Sequence, residues 1–271
     1  MDFLSHPRRT RNPGYIHGMN ANLAETLEAY ARGIIRGIHP IDSGQSEAVL
    51  RAMNNWGWDD DLKLYMPFDE TSGQTAFDLS GNGNTGTATG TTIVDGVFGK
   101  ARSFNGTSDY VQVLDAVSLD ITSALTLVAW VKPTLGSSNY IMSRYDRVVT
   151  SKSFLFFLGS TGRLNCAVSD NGSNDQVITS TSVAAGGAWS QVVAVYDGTT
   201  LKLFINRVEV ASLNYALGIF AGTEDLWIGT RRTVDPYFSG LIDEPRMYSR
   251  ALSADEIYLH YLAGALKLGL I

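Results

Sequence analysis

The sequence predicts a mainly β protein: a two-sheet jelly-roll sandwich with a short N-terminal α-helical arm and a short C-terminal helix. Three observations predict it. From Leu62 onward, short apolar runs alternate with clusters of Gly, Asn and Asp that tight turns require. About a dozen such runs follow one another with no helical period between them, the pattern of a sandwich or jelly roll. The composition agrees, with 27 Gly, 12 Tyr, 11 Phe and 5 Trp against only 18% charged residues.

Residues 1–60 read as a separate unit. Leu23, Leu27, Tyr30 and Ile34 recur at helical spacing, and Asn22 with Glu25 three residues on forms a capping-box pattern. Gly33 and Gly37 weaken the end of that helix. "HPID" separates it from a second short helix in "GQSEAVLRAMNNW". Two short helices with one apolar stripe each bury little against each other, so the stripe is expected to lie on another surface. Arg8, Arg9 and Arg11 make the segment basic, which suits an acidic protein partner as well as it suits a solvated tail. The arm is therefore expected to be a docking segment for protein partners in a larger assembly. His6, His17 and His39 lie in it without cysteine or carboxylate at ligand spacing, so no metal site is expected there.

Residues 61–271 carry the strand pattern. The runs are "LKLYMPF", "KARSFN", "YVQV", "LTLVAWVKP", "YIMSRY", "FLFFL", "RLNCAVS", "WSQVVAVYD", "TLKLFIN", "EVASL", "DLWIG" and "FSGLIDEPRMY". "YDGTT" joins two alternating runs as a hairpin. The final helix, "SADEIYLHYLAG", starts at Ser253 with Glu256 three residues on.

Composition excludes several classes. A net charge of −6 argues against nucleic-acid and anionic-membrane binding. No apolar run reaches the ~18 residues of a membrane span, and no signal peptide is visible at the N-terminus. The single cysteine, Cys166, sits in a strand pattern and reads as a small buried hydrophobe.

"GLIDEPRMYSRALSADEI" places two adjacent carboxylates in an apolar strand pattern. Strict alternation puts Asp243 with Leu241 and Met247 on one face, and Glu244 with Ile242, Arg246 and Tyr248 on the other. Each acid needs a partner in such surroundings. Arg246 serves Glu244; Asp243 has nothing local.

The blocks "LYMPFDETSGQTAFDLSGNGNTGT", "GKARSFNGTSDYVQV", "LTLVAWVKP", "WSQVVAVYDGTTLKLFIN" and "FSGLIDEPRMYSRALSADEI" resemble, in order and spacing, the laminin G-like, concanavalin A-like lectin superfamily over residues ~62–264. The resemblance implies a jelly roll with ligands on a concave face or rim loops. It also implies a structural Ca2+ held by Asp78, Asn82 and Asp243; calcium takes six to eight oxygens, which a Gly/Asn loop and two carboxylates supply. The alternative is that these acids accept backbone N–H bonds, and both readings stand on the sequence.

No catalytic set is apparent. The Glu-x-Asp-x-x-Glu pattern of the related glycoside hydrolases is absent, Asp243 and Glu244 are adjacent, and His260 has no nucleophile elbow to serve. For binding, the segments at 143–147, 169–175 and 230–239, expected to be loops, offer aromatic faces with planar polar groups: Arg144, Tyr145, Asp170, Arg231 and Tyr237. The function expected is non-enzymatic recognition of a glycan or cell-surface polymer, on a virion or other extracellular assembly, such as a phage decoration, tail or fibre protein. A free-standing carbohydrate-binding module is the alternative, with a glycoside hydrolase of the same fold behind it.

Overall fold

The computed structural model describes residues 59–146, 151–232 and 236–271. The segment expected to form a helical arm, with Arg8, Arg9, Arg11, Leu23, Leu27, Tyr30 and Ile34, lies outside the described residues. Sixteen strands, a 3₁₀ turn and one helix are found among those described. They form two antiparallel sheets.

The first sheet runs β14 (Val208–Asn214), β13 (Thr200–Ile205), β12 (Ser190–Tyr196), β7 (Leu125–Pro133), β16 (Ser239–Tyr248), β5 (Lys100–Asn105) and β4 (Thr92–Asp95), with β1 (Leu62–Tyr65) also paired on β16. The second runs β11 (Gln176–Val183), β10 (Arg163–Gly172), β9 (Ser151–Leu158), β8 (Asn139–Asp146), β15 (Leu226–Ile228), β6 (Tyr110–Val113), β3 (Gly86–Thr89) and β2 (Thr75–Ala76).

Alternation along each strand builds the core. Leu127, Ala129 and Val131 of β7 face Phe154 and Phe156 of β9 and Cys166 and Val168 of β10 across the interior. Cys166 is fully buried, and burial alone pushes its thiol pKa up to about 12, as expected of an inert core residue.

The helix α1 (Ala254–Lys267) begins at Ser253, which makes both bonds of a capping box with Glu256. It lies on the outer face of the first sheet, where Ile257 joins Leu62, Tyr65, Val128, Val193, Val195, Phe204 and Tyr248 in a second apolar cluster. Trp130 stacks on Tyr261 at 6.0 Å, and the helix backbone passes so close that a Cβ on Gly264 would stand 2.1 Å from the Trp130 ring. Gly264 therefore sets the docking distance of α1. Gly264→Ala is expected to cost about 1–3 kcal/mol by overpacking, seen as a lower melting temperature in thermal denaturation.

Candidate functional site

Strand β16 does not keep strict alternation. Ile242 and Met247 both enter the core, an odd number of residues apart, so the strand slips one position between them. The slip is a bulge against β7 between Asp243 and Arg246, where Glu244 adopts a left-handed φ of 56°. The even-and-odd faces expected from the sequence are thereby corrected, and the two acids interact electrostatically.

The partner of Asp243 is backbone. Its Oδ2 accepts from the N–H groups of Val97 (2.8 Å) and Phe98 (3.1 Å) in the turn between β4 and β5. Gly96 permits that approach, since a Cβ there would lie 2.6 Å from Oδ2. Burial, reinforced by the Glu244 charge, raises the Asp243 pKa well above its ordinary value. Glu244 accepts from Tyr65 Oη (3.2 Å) and forms a short ion pair with Arg246. Arg246 in turn stacks over Tyr65 at 4.1 Å and donates to His260 Nδ1 at 3.0 Å. Burial, together with Arg246 and Arg250, holds the His260 pKa well below 6.5, so the imidazole is neutral and structural.

Asp78 is saturated by protein donors. Oδ1 accepts from Tyr65 N (3.0 Å) and Ser80 N (2.9 Å), and Oδ2 from Asn84 N (2.8 Å) and Ser80 Oγ (2.8 Å). Asn82 donates through Nδ2 to Leu62 O at 2.8 Å. Four N–H or O–H dipoles already point at Asp78, and Asp243 spends Oδ2 on its turn while its buried Oδ1 has no hydrogen-bond partner, so the saturated Asp78 does not fit a calcium ion shared with Asn82 and Asp243. Their geometry is that of the hydrogen-bonding alternative, and among the described residues no cluster of His, Cys, Asp and Glu is arranged to hold a metal.

Arg144 lies on β8 rather than in a loop, and every N–H of its guanidinium is used. Nε donates to Glu224 O (2.9 Å), Nη1 to Leu119 O (2.6 Å) and Asp120 (3.0 Å), and Nη2 to Gly222 O (2.7 Å) and, in a short ion pair, Asp115. It ties two rim segments together and has no donor left for a ligand.

The remaining candidates divide. Asp170 is exposed near the end of β10. Tyr237 is buried just before β16. Tyr145 and Arg231 come together on the outer face of the second sheet, opposite in direction to the core-facing Met142, Phe154 and Phe156. There Tyr140, Tyr145, Leu155 and Ala167 form an apolar bed. Arg231 lies over the rings of Tyr140 (5.3 Å) and Tyr145 (5.9 Å), and Lys152 over Tyr145 at 5.5 Å. Tyr110 meets Trp227 edge-on at 5.3 Å on the same face of the neighbouring strands. Tyr140, Lys152 and Trp227 were not singled out from the sequence; the ladder pairs Lys152 with Tyr145, a register that the sequence alone does not show.

A two-sheet jelly roll with an aromatic outer face is the class this geometry defines. The concanavalin A-like lectin/glucanases superfamily profile matches residues 105–258, and the chain belongs to that superfamily. Among solved structures it is similar to the binding domain of Paraclostridial Mosquitocidal Protein 1 (18% identity, TM-score 0.62, 74% of this chain and 52% of that one). It is also similar to domain 4 of AbnA, a GH43 extracellular arabinanase from Geobacillus stearothermophilus, in complex with arabinotriose (24%, 0.59, 75% and 98%). A third is the botulinum neurotoxin serotype G binding domain (14%, 0.60, 74% and 50%). The chain spans about half the length of the two toxin binding domains. These likenesses show the fold. No curated protein matches the chain by sequence.

Two outcomes are expected. Asp243→Ala orphans the Val97 and Phe98 N–H groups and costs about 1–3 kcal/mol for each donor left unsatisfied in chemical denaturation. Folded Asp243 holds its proton more tightly than the unfolded chain, so its contribution is fullest at low pH and declines as pH rises above the ordinary value of 3.8 through the raised folded value. Asp243→Asn, isosteric with the neutral acid, is expected to flatten that decline in a series of melts against pH. Calcium and chelator are both expected to leave the melting temperature unmoved, whereas a resident ion would raise it with concentration.

Proposed function

We propose that the chain is a non-enzymatic recognition module that binds a saccharide on the outer face of its second sheet. The observation that carries this reading is the bed of Tyr140 and Tyr145 with the Arg231 guanidinium laid across it. Sugar rings present C–H faces to aromatic rings and hydroxyls to planar donors; Tyr140 and Tyr145 are themselves buried, so a sugar would meet this bed at its edge, where Phe157 and Tyr110 are half-buried. The outer face of the first sheet is taken up by α1. The similar fold of AbnA domain 4, whose structure holds arabinotriose, supports a saccharide as ligand class.

Catalysis is not part of the reading. The buried pair Asp243 and Glu244 is committed to backbone N–H groups, Tyr65 and Arg246, and His260 is locked behind Arg246. A displayed setting follows from the basic, amphipathic arm: the module is carried on a larger assembly, a phage virion as decoration, tail or fibre protein being the favoured instance.

Tyr145→Leu removes a buried ring, so it is expected both to lower the melting temperature and, with the variant still folded, to weaken binding about tenfold in a glycan-array and calorimetric titration. A blank array with intact protein would overturn the saccharide reading. Deleting residues 1–60 is expected to abolish co-assembly in sedimentation and leave saccharide binding intact.

A further inference from the structure

Resting on the reading above, we propose that the saccharide is anionic and that its carboxylate or sulfate group is received by Arg231 and Trp227. Arg231 is 9% exposed, yet its guanidinium makes one side-chain hydrogen bond, from Nη1 to Tyr140 Oη at 3.2 Å. Among the described residues no carboxylate pairs with it. The other deeply buried arginines are each matched to an acid: Arg102 to Glu70, Arg144 to Asp115 and Asp120, Arg246 to Glu244. A buried guanidinium without a counter-charge is costly, and the fold has avoided that cost at every comparable site.

The second observation is independent of charge. Trp227 is 6% exposed, and its Nε1–H is buried with no acceptor. Leu226 and Ile228 on either side face the core, so the indole faces outward, beside Ser143 of the strand that bears Tyr140 and Tyr145. Both open groups are donors. Their complement is an acceptor-only group, which an ionised carboxylate or sulfate ester is and a sugar hydroxyl is not.

The neighbouring cations do not compete. Lys152 is bound to Asp175 (3.1 Å) and Ser173 O (2.6 Å), and Arg232 is ion-paired with Asp146. The uncompensated positive charge on this face is therefore that of Arg231. Tyr110, half-buried, packs edge-on against Trp227, and Arg232, next to Arg231 in the chain, is exposed.

The test uses the full chain and calorimetric titration with sialyllactose, its methyl ester, lactose, and a sulfated disaccharide with its desulfated counterpart. Sialyllactose or the sulfated disaccharide is expected to bind and the neutral counterparts to bind about tenfold or more weakly, and which of the two charged probes binds identifies the anion. Arg231→Met is expected to lose that preference, Arg231→Lys to keep part of it, and Trp227→Phe, which removes only the N–H, to weaken the charged probe several-fold. Without ligand, Arg231→Met is expected to melt at or above the wild-type temperature, because it removes an unpaired buried cation. Equal binding of charged and neutral probes, an unaffected Arg231→Met, or a lower melting temperature for that variant would overturn the proposal while leaving saccharide recognition standing. Binding of none of the probes would overturn both.

Discussion

The bulge in β16 is the constraint on which the rest of the structure depends. This strand pairs with β7, β5 and β1, so it is the hub of the first sheet. The extra residue at Glu244 lets one short segment do three things: fill the core with Ile242 and Met247, grip the β4–β5 turn through Asp243, and hold α1 through Arg246 and His260. A regular strand would present its acids to opposite faces and leave one of those tasks undone. Glu244 in the left-handed region is strained backbone for a non-glycine residue, and the surrounding bonds from Tyr65 and Arg246 keep it there.

Arginine is the recurring fastener of this fold. Arg144 gathers the rim segments around residues 115–120 and 222–225, Arg246 joins strand to helix, and Arg102 links Glu70, Thr75 O and Thr91. The five-donor fork suits these multi-carbonyl junctions better than an ammonium does. A buried pair of this kind adds little net stability over an apolar substitute, but each guanidinium accepts one arrangement of its neighbours, which fixes the loops around it.

The sandwich and its terminal helix were legible because short apolar runs such as "WSQVVAVYD" end at turn residues and because Ser253 and Glu256 announce a capping box. Strands β2, β3, β4 and β11 were not legible: "GTAT" and "QVITSTSV" are Thr- and Ser-rich and lie toward sheet edges, where little apolar surface is buried and the periodic signal fades. Of the residues expected to bind a ligand, Tyr145 and Arg231 were chosen by residue type, and the structure brings these two together. Arg144 was misread for the same reason, since a guanidinium that binds backbone carbonyls far along the chain looks identical in sequence to one that meets a ligand. Asp78 and Asp243 carried the same ambiguity. Whether a carboxylate meets a cation or an N–H group depends on contacts as remote as that between Asp243 and Val97.

The guanidinium of Arg250 holds both Asp59, at the head of the sandwich, and Glu256, at the start of α1, while Ser249 N bonds Asp61 O at 2.8 Å. Entry to and exit from the β-fold are thus stapled at one spot. A fold whose two ends meet is a cassette: it can be spliced into a loop of an unrelated host, or relinked and reopened elsewhere, without stretching its own strands. The geometry at Arg250 brings both ends of the β-sandwich to one point, from which α1 runs on across the first sheet.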